Sequence, residues 1–516
     1  MSPAQPDPKR AAAALQLKNG YVPELTDKLV GWNLEFPPRD HQKTAIGFLS
    51  LTPKALILDV VGGGKTGTAL GLLALLEGKG QLNHHPAPRA LVITTAPNVR
   101  LSWAVDGFAK FVPGMKYVNG KLPRPKRLEV YNDPTWTVLL TNYESVRLDI
   151  EWLSQLDFHT VILDEADVLK NHNSQTTKAV RRITHGPKCE RVVAMTGTPL
   201  TAKTLVGAHS LLDVLGIAEE FAPNKTAFEN KYHHFTYKEL YTKNKYGRVT
   251  KRIVKELGSL KNVTEFKEKL APFYLRRTRE QLATKMPEVR ALNKYLEPTA
   301  EQSKLYKQAK SGYLKTGTAD PQEIERQWDY LRKICVNTAM VGGIDSSAKM
   351  DWLQERLRTD WAEDKVVVFT NWLQSVDLLE KRLKKQGIDF VTIQGSTSEK
   401  KREENVLKFR GDPDCRVLIG TRSLVRGLNL QVARVQVSLD LLFNPGEVEQ
   451  IAGRVVRDGS LHDECLIVNL FIYGSLEHAL YKYVSSKQAI SDFVLEDKST
   501  VFEQLTPKEL YELIKS

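Results

Sequence analysis

Cysteine is scarce in this chain. The four are Cys189, Cys335, Cys415 and Cys465. None lies within metal-ligand spacing of another, so neither a zinc site nor a disulfide framework is indicated, and a reducing cytoplasm is the expected setting. The histidine pairs His84-His85 and His233-His234 lack partner cysteines and read as surface residues, not metal ligands. No apolar run approaches the length that crosses a bilayer, so no membrane partner is expected. Ala11 to Leu17 is too short and too weakly apolar for the core of a signal peptide. There is no low-complexity array and no short-period repeat. Acidic residues are also in deficit: 61 against 74 Lys and Arg, a net charge of +13. That balance favours a polyanionic partner.

At 516 residues the chain is long enough for two or three domains. It is organised around Asp59-Val-Val-Gly-Gly-Gly-Lys65-Thr66. An aliphatic run, Ala55 to Leu58, leads in, and a helical pattern, Thr68 to Leu76, follows. Strand, glycine loop and helix is the layout of a phosphate cradle. Gly62, Gly63 and Gly64 let backbone N–H groups converge on an anion, and the helix N-terminus adds its partial positive charge. Lys65 would reach the β- and γ-phosphates, and the Thr66 hydroxyl would ligate Mg²⁺. The usual spacing puts a glycine where this chain has Asp59.

Strand-like runs alternate with helical patterns almost throughout. Ala90–Thr95, Thr137–Thr141, Thr160–Leu163 and Arg191–Met195 are continuous and β-rich, as suits strands buried on both faces of a parallel sheet. The pattern returns at Lys365–Thr370, Phe390–Ile393, Arg416–Gly420, Val435–Leu439 and Cys465–Leu470. The expected fold class is α/β, with two parallel-sheet lobes and a helical and β-hairpin insertion between them. The expected boundaries are a flexible leader over 1–33, a first, ATP-binding lobe over 34–200, a helical protrusion with a basic hairpin over 201–290, a linker and helical insertion over 291–345, a second lobe over 346–495, and a C-terminal helix over 496–516. Helical periodicity is clear in Leu205–Leu215, Val263–Leu270 and Ala300–Lys310. Lys231 to Lys261 carries nine basic residues against Glu239 and Glu256, with five aromatics interleaved. Asn244 to Gly247 fits a turn between two strands. Either Lys243, Lys245 and Arg248 touch nucleic-acid phosphates, or this is a solvated charged hairpin.

Asp164-Glu165-Ala166-Asp167 closes the strand Thr160–Leu163. A carboxylate at a strand's C-terminal edge can hold Mg²⁺, a role given to Asp164, while Glu165 would polarise the attacking water. Thr196-Gly-Thr-Pro199 follows the next strand as a hydroxyl-rich turn able to link the nucleotide site to movement of the second lobe. In the second sheet, Gln450, Arg454 and Arg457 share one helix face. Two arginines delivered from another lobe suit an arginine finger onto a γ-phosphate.

Together these motifs resemble superfamily-two helicase-like ATPases, and within them the Swi/Snf-type DNA translocases, from about Leu34 to about Val494. Pro38 to Gln42, with Arg39, is similar to the family's adenine-recognising segment, and the resemblance implies that Gln42 reads the adenine edge. Asp59 to Thr66 matches the family's phosphate loop, aspartate included. Thr94 to Pro97, and Thr141 with Asn142, fall where the first lobe would meet the DNA backbone. Ser396 with Thr397, and Thr421 with Arg422, look like backbone-contacting motifs of the second lobe. Lys170-Asn171 and Leu275-Arg-Arg-Thr278 are more particular to this branch. Gly427-Leu-Asn-Leu430 is kept and places Gly427 at the nucleotide. The chain departs from the branch at Asp167, where histidine is usual, at Leu424-Val425, where a glycine pair is usual, and at Ser460, where glutamine is usual.

The resemblance implies an ATP- and Mg²⁺-dependent enzyme whose two RecA-like lobes close on nucleotide and step along duplex or branched DNA through its phosphates, independent of sequence. A monomer in the cytoplasm or nucleoid is expected, or in a host cytoplasm if the source is viral. With no reader module in the length, a minimal bacterial or viral translocase fits better than a chromatin remodeller. Two alternatives stand beside it: a DEAD-type RNA helicase, suggested by Asp167, and a clamp that binds nucleotide and DNA without turnover.

Overall fold

The structure, a computed structural model, describes residues 8–478 except 26–27, 83–88, 96–98, 121, 134, 198–204, 244–248, 279, 283–286, 317–320, 425–427, 441–450 and 457–459. The chain divides into two compact units, Met1–Ala283 and Thr284–Ser516. Among the described residues no helix is long and apolar enough to cross a membrane.

The first unit is built on a seven-stranded sheet. Its strands are β1 (Lys54–Ile57), β2 (Arg89–Thr94), β3 (Tyr117–Asn119), β4 (Val138–Asn142), β5 (Phe158–Asp164), β6 (Arg191–Met195) and β9 (Tyr274–Leu275). They lie in the order β3-β4-β2-β5-β6-β1-β9, and all pairings are parallel. Alternate residues of each strand feed two separate cores. Ala55, Ile57, Val92, Ile162 and Val193 pack on one face, and Leu56, Leu91, Ile93, Val161 and Val192 on the other. Burial of both faces is why these runs are continuously apolar, without polar alternation.

Three helices open the chain: α1 (Pro8–Lys18), α2 (Asp40–Leu51) and α3 (Lys65–Gly78). In α3 every residue from Gly67 to Leu76 is buried. A helix apolar all round belongs inside a core, and each of its buried leucines contributes about 1.5–3 kcal/mol. The segment expected to be a flexible leader departs from that reading. Its described residues from Pro8 onward are folded, and Ala14, Leu17, Leu25, Leu29 and Trp32 are buried in the same core as α2 and α3. The alanine-rich α1 has little apolar bulk, but two of its residues suffice to seat it on α2. Residues 1–7 lie outside the described residues.

Between β6 and β9 come the helices Leu205–Leu215 and Val263–Leu270, as their periodicity predicts. An antiparallel hairpin of β7 (His233–Lys243) and β8 (Val249–Leu260) stands apart as a two-stranded sheet. Its turn lies outside the described residues. His233 is a correction to the reading of both histidine pairs as surface: it is fully buried beside Tyr232 at the hairpin's base, while His234 is exposed.

The second unit holds a six-stranded sheet of β10 (Glu288–Leu296), β11 (Val366–Phe369), β12 (Phe390–Ile393), β13 (Val417–Gly420), β14 (Val435–Ser438) and β15 (Glu464–Ile472). The order is β10-β15-β14-β11-β13-β12, again parallel at every pairing. Glu288–Leu296, which straddles the boundary expected between protrusion and linker, is an edge strand of this sheet. The helices Ala300–Thr316 and Pro321–Val336 follow it. The C-terminal helix expected over 496–516 lies outside the described residues.

Candidate functional site

In a parallel sheet all strands end on one edge, and the chemistry-bearing residues collect there. Register pairs Ile57 of β1 with Met195 of β6, and Met195 with Asp164 of β5. The loop after β1, the turn after β6 and the acidic turn after β5 therefore stand side by side. The glycine loop has left-handed backbone at Gly62 (φ 87) and Gly64 (φ 76), conformations that glycine adopts without penalty. Gly64 is also the N-cap of α3, so the loop delivers the helix N-terminus, whose first N–H groups have no partner within the helix, to the same point. Lys65 Nζ donates to the carbonyls of Asp59 (2.8 Å) and Val60 (3.1 Å). The ammonium thus lies over the loop it would serve.

The adenine-type segment packs directly on this loop. His41 Nε2 donates to the Gly63 carbonyl (3.1 Å) and Gln42 Nε2 to the Gly64 carbonyl (3.2 Å). Gln42 Oε1 accepts from the Arg39 backbone N–H (3.0 Å). A Cβ on Gly64 or on Gly67 would lie 2.7 Å from Gln42 Nε2, so both glycines are needed for that approach. Burial, reinforced by the Arg277 guanidinium, pushes the His41 imidazole down to about 4, and it is neutral at pH 7. Asp59, where the usual loop has glycine, is 1% exposed and forms a bidentate ion pair with Arg277 (Nε to Oδ1 3.1 Å, Nη2 to Oδ2).

Asp164 is 8% exposed. Its Oδ2 accepts from Thr94 Oγ1 and from Trp103 Nε1, both at 2.8 Å, and its carbonyl accepts from the Tyr143 hydroxyl (2.9 Å). Trp103 is delivered by a ten-residue π-helix, Val99–Phe108, a geometry that is rare and concentrated at functional sites. Glu165 adopts φ 51 and ψ 49. A left-handed conformation at a non-glycine residue costs about 1–2 kcal/mol and marks a constrained turn. Thr196 donates its N–H to the Ile57 carbonyl (3.1 Å). A Cβ on Gly197 would lie 2.6 Å from Val61 Cγ2 and 3.6 Å from Lys65 Nζ, which seats this turn against the loop. The hydroxyl of Thr66 and the carboxylate of Asp164 are hard oxygen donors of the kind Mg²⁺ takes alongside phosphate oxygens. Left-handed glycines let a loop curl its N–H groups toward an anion.

The nucleic-acid candidates of this unit are placed less openly. Thr141 and Asn142 end β4 and are buried. Asn142 spends its side chain capping the helix Tyr143–Leu148, accepting from the N–H groups of Glu144 and Ser145. Of the hairpin candidates, the backbone of Lys243 is in β7, and Lys245 and Arg248 lie outside the described residues.

In the second unit, Ser396 and Thr397 follow β12, with Ser396 exposed and Thr397 bonded to Gln394. Thr421 is buried and Arg422 exposed just after β13. Arg454 is helical and 3% exposed. Arg457, Gln450 and Gly427 lie outside the described residues. A network that no sequence motif announces sits at this edge too. Asp440, after β14, accepts from Thr370 Oγ1 (2.8 Å), the Asn371 N–H (2.9 Å) and the Asn371 amide, with Arg332 at 3.8 Å. In the first unit, the contacts that His41, Trp103 and Arg277 make with the loop and with Asp164 are ones that sequence reasoning missed. The Arg-Arg pair after Leu275 was the signal available for Arg277.

The SNF2-related domain matches residues 41–340, and the helicase conserved C-terminal domain matches 348–459. An uncharacterised ATP-dependent helicase of Mycoplasma genitalium is 26% identical over 89% of this chain and 42% of its own length. The DNA repair and recombination protein RAD54B of Gallus gallus is 23% identical over 93% of this chain and 56% of its own. The chain thus spans about half the length of these curated relatives. A solved Sulfolobus solfataricus SWI2/SNF2 ATPase core in complex with dsDNA aligns over 95% of this chain and 97% of that one, at 20% identity and a TM-score of 0.40. The match to the SNF2-related domain takes in more than half of the residues, along with the phosphate loop and the acidic turn, and the chain belongs to that family.

Proposed function

We propose that this chain is an ATP-dependent translocase of duplex or branched DNA. The observation that carries the reading is the meeting of Lys65, Gly197 and Asp164 at the C-terminal edge of the first sheet. The three form a cradle, a linking turn and a buried carboxylate in the places that nucleotide hydrolysis needs. In this reading the N–H groups of Gly62 to Thr66 and the Lys65 ammonium hold the phosphates. Thr66 and Asp164 would hold Mg²⁺, which neutralises charge developing on the phosphoryl oxygens. Glu165 orients the attacking water. Gln42 turns from the Gly64 carbonyl to the base. Arg454 and Arg457 act from the second unit, which has no glycine phosphate loop of its own among the described residues. Residues at both sheet edges and on the basic hairpin take the DNA backbone, so binding is sequence-independent and salt-sensitive. The matching setting is a monomer in the nucleoid.

The test is ATP turnover without nucleic acid and with single-stranded, duplex, forked and four-way DNA, and with RNA. Stimulation by duplex or branched DNA is expected. Stimulation by RNA alone would move the chain to the DEAD-type class, and no turnover with any of them would make it a clamp.

A further inference from the structure

We infer that Arg277 is a positioning residue that couples the phosphate loop to the segment leading into the second unit, through Asp59. The inference rests on the nucleotide-driven DNA reading above. The segment Tyr274–Leu282 is stitched along the loop at successive points. β9 pairs with β1 through Leu56–Tyr274 and Ile57–Leu275. The Leu58 N–H donates to the Leu275 carbonyl (2.9 Å) and the Val60 N–H to that of Arg277 (3.4 Å). Arg277 grips both carboxylate oxygens of Asp59, and its Nη1 donates to the His41 carbonyl. Leu282 comes so close to the loop that a Cβ on Gly63 would meet its Cδ1 at 3.0 Å. The second unit begins at Thr284.

The same dipeptide, Asp59-Val60, is held from its other side by Lys65, whose ammonium donates to both of its carbonyls. An arriving triphosphate competes for that ammonium, and charge-assisted bonds to phosphate are stronger than bonds to neutral carbonyls. Nucleotide binding therefore releases the carbonyls of the two residues that Arg277 holds by side chain and backbone. Arg277 also supplies the counter-charge that lets a carboxylate lie buried beside incoming phosphates. The fork matters as well as the charge, since a guanidinium fixes the orientation of a carboxylate and an ammonium does not.

Coupling of this kind is reciprocal. The experiment measures duplex-DNA affinity of the full chain by fluorescence anisotropy, with and without a non-hydrolysable ATP analogue. In the wild type the analogue should change affinity by about tenfold, within the range of such couplings. In the matched double variant Asp59→Asn/Arg277→Gln, which leaves no buried charge unpaired, the ratio should fall to about one while both ligands still bind. Arg277→Lys, with the charge kept and the fork lost, should give a reduced ratio and serves if the double variant does not fold. Circular dichroism checks the fold of each. A ratio within twofold of wild type in the folded variants overturns the inference. So does complete loss of analogue binding, which would mean the pair only builds the pocket. A wild-type ratio of one with both ligands bound would overturn the function reading as well, whereas an unchanged variant ratio overturns the coupling role alone.

Discussion

Trp103→Phe offers a demanding test of how Asp164 is held. The indole is fully buried and donates one of the two hydrogen bonds that Oδ2 of Asp164 receives, at 2.8 Å. Net hydrogen bonds to charged groups contribute about 1.5–3 kcal/mol. Replacing indole by phenyl keeps most of the apolar packing but leaves a small void, costing on the order of 1 kcal/mol more. The expected loss is therefore roughly 3 kcal/mol, a large share of the 5–15 kcal/mol typical of a domain. Urea denaturation, followed on the transition of the first unit, measures it. A double-mutant cycle with Asp164→Asn isolates the bond from the void. A coupling of about 2 kcal/mol is expected. Turnover should fall between about ten- and a hundredfold, because a displaced catalytic carboxylate is costly. A coupling below about 0.5 kcal/mol, the level at which independent sites add, would refute the claim that Trp103 holds Asp164.

Lys65→Ala should abolish turnover while leaving thermal unfolding close to wild type; near wild-type turnover would remove the cradle from the mechanism. Glu165→Gln should bind ATP and hydrolyse it very slowly, and a parallel collapse of nucleotide affinity would make Glu165 structural. Gly64→Ala combines a left-handed backbone with a 2.7 Å approach to Gln42 Nε2; it should cost about 1–2 kcal/mol in backbone strain alone and weaken nucleotide binding, read by analogue titration. The buried His41 imidazole, pushed down from 6.5 to about 4, binds a proton more readily when unfolded. Stability of the first unit should therefore fall as pH drops from about 6.5 toward 4, by up to roughly 3 kcal/mol, and His41→Gln should flatten that slope. Neutralising Lys243, Lys245 and Arg248 together should flatten the salt dependence of DNA affinity, by up to about one unit of slope for each phosphate no longer held; parallel lines would make the hairpin a solvated surface.

Most strands were legible because burial on both faces leaves continuous aliphatic runs such as Leu91-Val-Ile and Val366-Val-Val. β3 and β9 were not, being three and two residues long, too short for any period to register. β10 was missed because an edge strand stays largely exposed, and Glu288 to Lys294 reads as polar. The phosphate loop and acidic turn are local in sequence, so Lys65 and Asp164 are legible from the order of residues alone. What holds them is not local. Arg277 meets Asp59 across 218 residues and Trp103 meets Asp164 across 61. No spacing rule joins such pairs. Trp103 also rides on a π-helix, whose period differs from the helical one sought in the sequence. Asn142, placed at the DNA by resemblance, also uses its side-chain oxygen on a helix cap, a local role that the resemblance does not announce.

ATP turnover is proposed to move this chain along duplex DNA. The most direct test is displacement of a third strand from a DNA triplex, which needs movement along the duplex but no separation of its strands. Wild-type protein with ATP and Mg²⁺ should release the third strand, and Lys65→Ala or the non-hydrolysable analogue should not. Vigorous DNA-stimulated hydrolysis with the third strand left in place would contradict the account.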